Sequence, residues 1–183
     1  MKFKKTLVIG YKKGLGNSLF KKIKLHSISV EGTDLDEWIE SSTNSEIYYD
    51  KFISKKNFDL ILLNAHLGFE GTNLIKIICE KNKIRKFTLL IIGSIVTDQS
   101  RREFYPYYLE KLNLEVAVRQ FQLQYKEINL TLFKPGWINT DFIKHIKGEK
   151  MKVSVAADFI IDSLMLSKKY NVQLIKSSFI KGV

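Results

Sequence analysis

The sequence predicts an α/β fold, a doubly wound, mainly parallel β-sheet with helices on both faces. Three observations predict it. Short apolar runs, KKTLVIG, FDLILL and FTLLII, read as strands buried on both faces, as the strands of a parallel sheet are. Stretches with helical apolar spacing lie between them, so that strand and helix patterns alternate along the chain. A glycine cluster, Gly10, Gly14 and Gly16, closes the first apolar run and opens a helix.

The chain has 183 residues, 45% of them hydrophobic, and no apolar stretch long enough to cross a membrane. One domain over 1–183 is expected. The opening MKFKKTLVIG is too short in its apolar part for a signal peptide. The single cysteine, Cys79, permits no internal disulfide, which fits a reducing cytoplasm, and its apolar setting assigns it to core packing. Three scattered histidines offer no metal constellation, and there is no Gly-x-Ser-x-Gly elbow.

Taken in order, KKTLVIG is the first strand, YKKGLGN the turn, and SLFKKIKL, with Leu19, Phe20 and Ile23, the first helix. The turn needs unusual dihedrals, and its backbone can approach a pyrophosphate at the helix N-terminus, where unpaired amides and the helix dipole favour an anion. No Gly-Lys-Ser/Thr follows, so it is not a Walker loop. LHSISV is the second strand and runs into Glu31 and Asp34. The interval to the next clear strand is too short for two strand and helix units, so part of the usual pattern is deleted. Within it, Trp38 to Glu40 reads as a short strand, and Thr43-x-x-Glu46 as a capping box opening a helix with Ile47, Tyr48, Phe52 and Ile53.

NFDLILLNAHLG is a central parallel strand, bounded by Asn57 and Asn64. In GTNLIKIICEKNKIRKF, the residues Leu74, Ile75, Ile77, Ile78 and Ile84 form the apolar face of a helix with Asn73 near its start. FTLLIIGS places Ser94 at the carboxyl end of a strand, where open α/β sheets bind ligands. RREFYPYYLEKLNLEVAVRQF is a long helix, and Ile128 to Phe133 the next strand. PGWINT follows, then KVSVAADFIIDSLM, an amphipathic helix capped by Ser154, and NVQLIK as a final strand.

Tyr107 and Lys111, four residues apart on the long helix, point into one site. A phenol beside an ammonium is a usable proton donor and acceptor, because the positive charge pulls the phenol's pKa down. Ser94 precedes Tyr107 by thirteen residues. His66, just past Asn64, reads as a polar loop residue near the same crevice.

In this order, the GxxxGxG turn, Asn64-Ala65, Ser94, Tyr107-x-x-x-Lys111 and PGWINT, the chain resembles the short-chain dehydrogenase/reductase family over about residues 5 to 175, as a truncated and divergent member. The resemblance implies a Rossmann-like NAD(P)-binding domain with a reduced substrate lid over about 140–152. It implies that Gly10, Lys12, Lys13, Gly14, Leu15 and Gly16 meet the dinucleotide, with Asn64 and Ala65 beside them. Pro135, Gly136, Ile138 and Thr140 would border the nicotinamide, Ile138 by its backbone and Thr140 by its hydroxyl. Tyr107 would give the proton, Ser94 hold the carbonyl oxygen, Lys111 lower the Tyr pKa and bond the nicotinamide ribose, and Asn73 anchor a relay water. Lys13, before the second glycine, goes with a 2′-phosphate and leans the cofactor toward NADP(H) over NAD(H), whereas Glu31 and Asp34 lean the other way. The adenine-contacting Asp of the family would fall near Ser41 and is absent, and Glu110 replaces the Ser common before the family's Lys.

The implied activity is hydride transfer between a nicotinamide cofactor and a small carbonyl or alcohol substrate. A net charge of +11 favours anionic partners, which makes a phosphate-bearing or nucleotide-sugar substrate an option. A second reading is a dinucleotide-binding sensor or partner subunit that has lost efficient catalysis. A third, a basic nucleic-acid-binding domain, rests on charge alone and lacks an aromatic-basic strand motif or a recognition helix, so no nucleic acid is expected. Leu112, Val116 and Phe121 suit either the core or a homodimer or homotetramer interface.

Overall fold

Four apolar runs and two more polar segments become strands, and the alternating side chains of the apolar ones feed two separate cores. The computed structural model describes residues 2–99, 105–145, 147–167 and 174–177; residues 101–104 and 171–173, which open the predicted long helix and final strand, lie outside these. The strands are β1 (Phe3–Ile9), β2 (Ser27–Thr33), β3 (Leu60–Leu63), β4 (Phe87–Ile92), β5 (Ile128–Pro135) and β6 (Leu174–Ser177). The helices are α1 (Gly14–Ile23), α2 (Leu35–Glu40), α3 (Ser45–Phe52), α4 (Glu70–Lys81), α5 (Pro106–Gln124) and α6 (Val153–Ser167). All six strands pair in parallel, in the order β2-β1-β3-β4-β5-β6.

Successive residues of a strand face opposite sides of the sheet. Leu7, Ile9, Ile61, Leu63, Leu89 and Ile91 therefore meet α3, α4 and α5 through Tyr48, Leu74, Ile75, Ile78, Leu114 and Val118. Val8, Leu60, Leu62, Leu90, Ile92 and Phe133 meet α1 and α6 on the other side, through Leu15, Leu19, Ile23, Ile160, Ile161 and Leu164. Each fully buried aliphatic side chain contributes on the order of 1.5–3 kcal/mol. Cys79 is buried in the first of these cores, and burial pushes its thiol up to about 12, so it packs as a hydrophobe.

The predicted doubly wound sheet is present, and the deletion can be located. The common doubly wound order carries a further strand outside the second one. Here β2 ends the described sheet, and α2 and α3 fill the interval before β3. Trp38–Glu40, predicted as a strand, belongs to α2, and Trp38 is buried edge-on against Tyr48. A six-residue helix is too short to display its period, which is why its apolar pair reads as a strand. The capping box lies at the start of that helix, between Asp34 and Glu37, and not at Thr43 and Glu46. Thr43 has φ +53, a left-handed conformation that an N-cap does not adopt; Asn44 is extended and accepts from the amides of Glu46 and Ile47 at 2.9 and 3.1 Å.

Two smaller corrections follow the same logic. Ile84 lies beyond α4 and is exposed, because the helix ends at Lys81 before its apolar period reaches that far. Ser154 is inside α6 and caps nothing; the Lys152 carbonyl already accepts from the Ala156 amide at 3.0 Å, so the helix opens before Ser154. No helix among the described residues is long and apolar enough to cross a membrane.

The chain turns in opposite directions on either side of β1, with β2 on one flank and β3 on the other. The crevice above that switch, at the carboxyl ends of the strands, is where such sheets bind ligands.

Candidate active site

One half of the crevice is built from a glycine turn folded against the end of β3. Gly10 (φ +83) and Gly14 (φ +52) both adopt backbone that side chains disfavour. Gly16 is required for a different reason: a Cβ there would lie 1.7 Å from the Gly10 carbonyl oxygen. Asn64 Nδ2 donates to that same Gly10 oxygen at 3.1 Å, and the Asn64 and Ala65 amides both donate to the Ile9 carbonyl. The turn thus passes directly into α1, which opens at Gly14, one turn earlier than its apolar residues indicate. No acidic residue occupies the first turn of α1 to offset the positive end of its dipole.

This turn opens onto a cavity of about 840 Å³. Lys13, Gly14, Leu15 and Asn64 line one side of it, and Ser94, Tyr107, Lys111, Pro135, Gly136, Ile138 and Thr140 line the rest. Gly10, Gly16, Ala65 and Lys12 stand outside this lining. Lys12 is paired with Asp36, and its amide donates to Asp34 Oδ2 at 3.2 Å. Asp34 is thereby held by both the α2 cap and the glycine turn. Asn73 does not reach the cavity: it is exposed on α4, and its amide donates to Glu70 Oε1 at 2.8 Å.

Ser94 leaves β4 as the N-cap of a 3₁₀ turn, Ile95–Asp98, and its Oγ accepts from the Val96 amide at 3.2 Å. Tyr107 enters on the first turn of α5, behind a proline that suits a helix start. Burial raises the Tyr107 pKa, and the hydrogen bond it shares with Ser94 works against that rise. Lys111, one turn further on, is buried, and its Nζ donates to the Ile92 carbonyl at 3.2 Å. Loss of hydration lowers its pKa to about 8. The expected depression of the Tyr107 pKa by Lys111 is not what this arrangement produces. The amine lies 5.7 Å from the centre of the Tyr107 ring and is turned to a carbonyl, so burial dominates both groups.

Two constellations escaped sequence reasoning. His66 is no bystander of the loop: its Nε2 pairs with Glu110, and its ring meets Tyr107 edge-on at 5.3 Å and Phe142 at 6.0 Å. Of this pair, only Glu110 carried a signal in the sequence, as the residue in place of the Ser common before the Lys of the resembled family. Beneath Ser94, Lys134 is fully buried, 2.5 Å from Asp98 and 2.7 Å from Glu115, with Lys176 3.0 Å from Asp98 and Arg119 on Glu115. Thr97 Oγ1 joins Glu115 Oε2 (2.6 Å) to the Ser94 carbonyl (3.1 Å). Burial raises the Asp98 and Glu115 carboxyls, but the lysine and arginine partners reverse this and hold both below the ordinary carboxylate range.

Comparison with solved structures decides the fold. A short-chain dehydrogenase from Burkholderia cenocepacia J2315, solved with NADP, matches with a TM-score of 0.78 at 14% identity, over 97% of this chain and 89% of that one. The chain has the fold of the short-chain dehydrogenases and reductases. An alcohol dehydrogenase from the archaeon Thermococcus sibiricus, complexed with 5-hydroxy-NADP, matches with a TM-score of 0.75 at 17% identity over 98% of each chain. A short-chain dehydrogenase/reductase from Vibrio parahaemolyticus matches with a TM-score of 0.71 at 13% identity, over 94% and 98%. No protein-family model and no curated protein matches the sequence. Within the short-chain dehydrogenase fold, the glycine turn, Ser94, Tyr107 and Lys111 surround one cavity, while Asn73 stays outside it.

Proposed function

We propose that the protein is an NAD(P)-dependent oxidoreductase that reduces a small carbonyl substrate, with residues 1–183 acting as one nucleotide-binding domain and 140–152 as a short lid. The observation that carries this is the meeting of two hydroxyls and a buried amine, Ser94, Tyr107 and Lys111, in the cavity that the glycine turn opens onto. The residues present fit a dinucleotide: the cavity holds the N-terminus of α1, whose first turn carries no acidic residue, and its Gly14 leaves that end open. Gly14, Leu15 and Asn64 would hold the dinucleotide, and Ile138 and Thr140 its nicotinamide end. Lys13 lines the cavity, and Asp34 and Asp36 are engaged with the Lys12 amide and ammonium, which supports NADP(H) over NAD(H).

When bound, the cofactor supplies or takes up the hydride. Burial keeps the Tyr107 phenol protonated at neutral pH, which suits giving a proton to a carbonyl oxygen. Ser94, already bonded to that phenol, would hold the same oxygen. Lys111, near pH 8 and one turn behind Tyr107, would restore the proton.

Calorimetric titration with NADPH and NADH tests the site. Saturable binding that Gly14→Asp abolishes, and that Lys13→Glu weakens for NADPH alone, is the expected result; no binding of either dinucleotide overturns the reading. Tyr107→Phe is expected to remove turnover and leave NADPH binding intact. Binding with no Tyr107-dependent turnover over a broad carbonyl panel would instead favour a sensor or partner subunit, the role that the exposed Asn73 also suits.

A further inference from the structure

We infer that the substrate of this site is an uncharged aromatic carbonyl compound, a flat aryl aldehyde or ketone, and not a phosphorylated or sugar-like one. The inference rests on the oxidoreductase reading for its reaction, but on separate residues for its substrate. Three rings meet around the proposed proton donor: Tyr107 contacts His66 at 5.3 Å, Phe142 at 5.5 Å and Tyr105 at 6.0 Å, and His66 contacts Phe142 at 6.0 Å. Interplanar angles of 49–65° make these tilted or edge-on contacts, the geometry in which one ring presents a face for another to cover.

Part of this aromatic surface is exposed. Phe142 is 58% exposed and Trp137 41%, and both line the cavity that Tyr107 enters. Exposed aromatics scattered singly need no explanation, but two that converge on one mouth do. Trp137 is also held in place. A Cβ on Gly148 would lie 2.8 Å from the indole, and the Trp137 carbonyl accepts from the Met151 amide at 2.7 Å, so the segment that follows seats the ring. His66 is fixed in turn by Glu110, which takes up its Nε2 and leaves the ring as a wall.

Charge around these rings argues against an anion. The charged groups that line the cavity are Lys13, Lys111 and Asp141; Lys13 stands at the glycine turn and Lys111 is buried with its Nζ on the Ile92 carbonyl, which leaves the exposed Asp141 beside the rings, while Glu110 is taken up by His66 and the exposed Lys144 lies outside the lining. The phosphate-bearing substrate that net charge alone made an option therefore meets ring surface and one carboxylate. A flat, uncharged ring instead packs against the Phe142 and Trp137 rings that line this cavity, with its carbonyl directed at Tyr107 and Ser94. The reduction balances: the NAD(P)H hydride adds to the carbonyl carbon, the Tyr107 proton to the oxygen, and an aryl alcohol and the oxidised cofactor leave.

The test compares pairs matched in size. With NADPH, benzaldehyde is expected to exceed cyclohexanecarbaldehyde in kcat/KM by about tenfold, and Phe142→Ala and Trp137→Ala to raise the KM for benzaldehyde by a similar factor, with the Kd for NADPH unchanged. Equal use of the saturated ring, or preference for glyceraldehyde 3-phosphate, overturns the inference. Calorimetry with naphthalene-2-carboxamide, a ligand that needs no turnover, separates the two readings. Binding that is lost in Phe142→Ala, and absent for the decahydronaphthalene analogue, supports the aryl site even where no aldehyde is reduced. Equal binding of both amides, or of neither, overturns it.

Discussion

Lys111 and Lys134 are both buried lysines on neighbouring elements, and they are treated in opposite ways. Lys134, on β5, has Asp98 at 2.5 Å and Glu115 at 2.7 Å. Lys111, on α5, has a neutral carbonyl at 3.2 Å. Carboxylate partners offset the cost of burying an ammonium and tie its surroundings together; without them burial pushes the amine toward its neutral form. The first therefore braces the 3₁₀ turn that presents Ser94, and the second is an amine that can exchange a proton close to neutral pH. Burial alone does not separate a structural lysine from a chemical one; the charges around it do.

The largest effect is expected from breaking the braced side. Lys134→Met leaves Glu115 buried with the Thr97 hydroxyl and an exposed arginine as its remaining partners, and should lower stability by about 3–5 kcal/mol in urea denaturation. Adding Glu115→Leu should return most of that loss, because an apolar pair replaces a charged one. A loss below about 1 kcal/mol in the single variant would show that the network does not brace the turn.

Lys111 should show itself through pH. Its pKa falls from the ordinary 10.5 to about 8 in the folded protein. Between those values the unfolded chain holds a proton that the folded chain has released, so stability rises with pH across that window. Below pH 8 both forms are protonated and the cost of the buried charge is fully present, on the order of 3 kcal/mol. The difference in stability between the wild type and Lys111→Met isolates this from the other lysines. That difference should shift in favour of the wild type by roughly this amount between pH 7 and 11, and a flat difference would mean that Lys111 is not desolvated.

The sheet was legible in the sequence because strands buried on both faces read as continuous apolar runs, and β1, β3, β4 and β5 are of that kind. The helix that became α3 was legible too, but the span from Leu35 to Asn44 was not, since α2 is too short to show a period and the entry to α3 depends on left-handed backbone at Ser42 and Thr43 that no propensity announces. In the site, Ser94, Tyr107 and Lys111 could be found because fixed intervals along one strand end and one helix carry them together. Asn73 could not be ruled in or out by spacing, as the rotation of α4 decides where it faces. His66, Glu110 and Phe142 come from three separate segments, and Lys134 reads as an ordinary polar residue at a strand end until Asp98 and Glu115 are brought against it.

The smallest effect sharpens the comparison most. Arg119 touches the same Glu115 carboxylate as Lys134, on the side away from the sheet, and its side chain is 62% exposed. If proximity to a carboxylate were what mattered, Arg119→Ala would resemble Lys134→Met. Water screens the arginine and has already been removed from the lysine, so Arg119→Ala should cost less than about 0.5 kcal/mol. Salt gives the independent check. At 1 M NaCl the Debye length falls to about 3 Å, which should erase the Arg119 contribution and leave most of that of Lys134, because mobile ions cannot enter between the buried Lys134 and Glu115. Equal salt sensitivity of the two variants would place Lys134 in contact with solvent and dissolve the distinction between a bracing lysine and a reactive one.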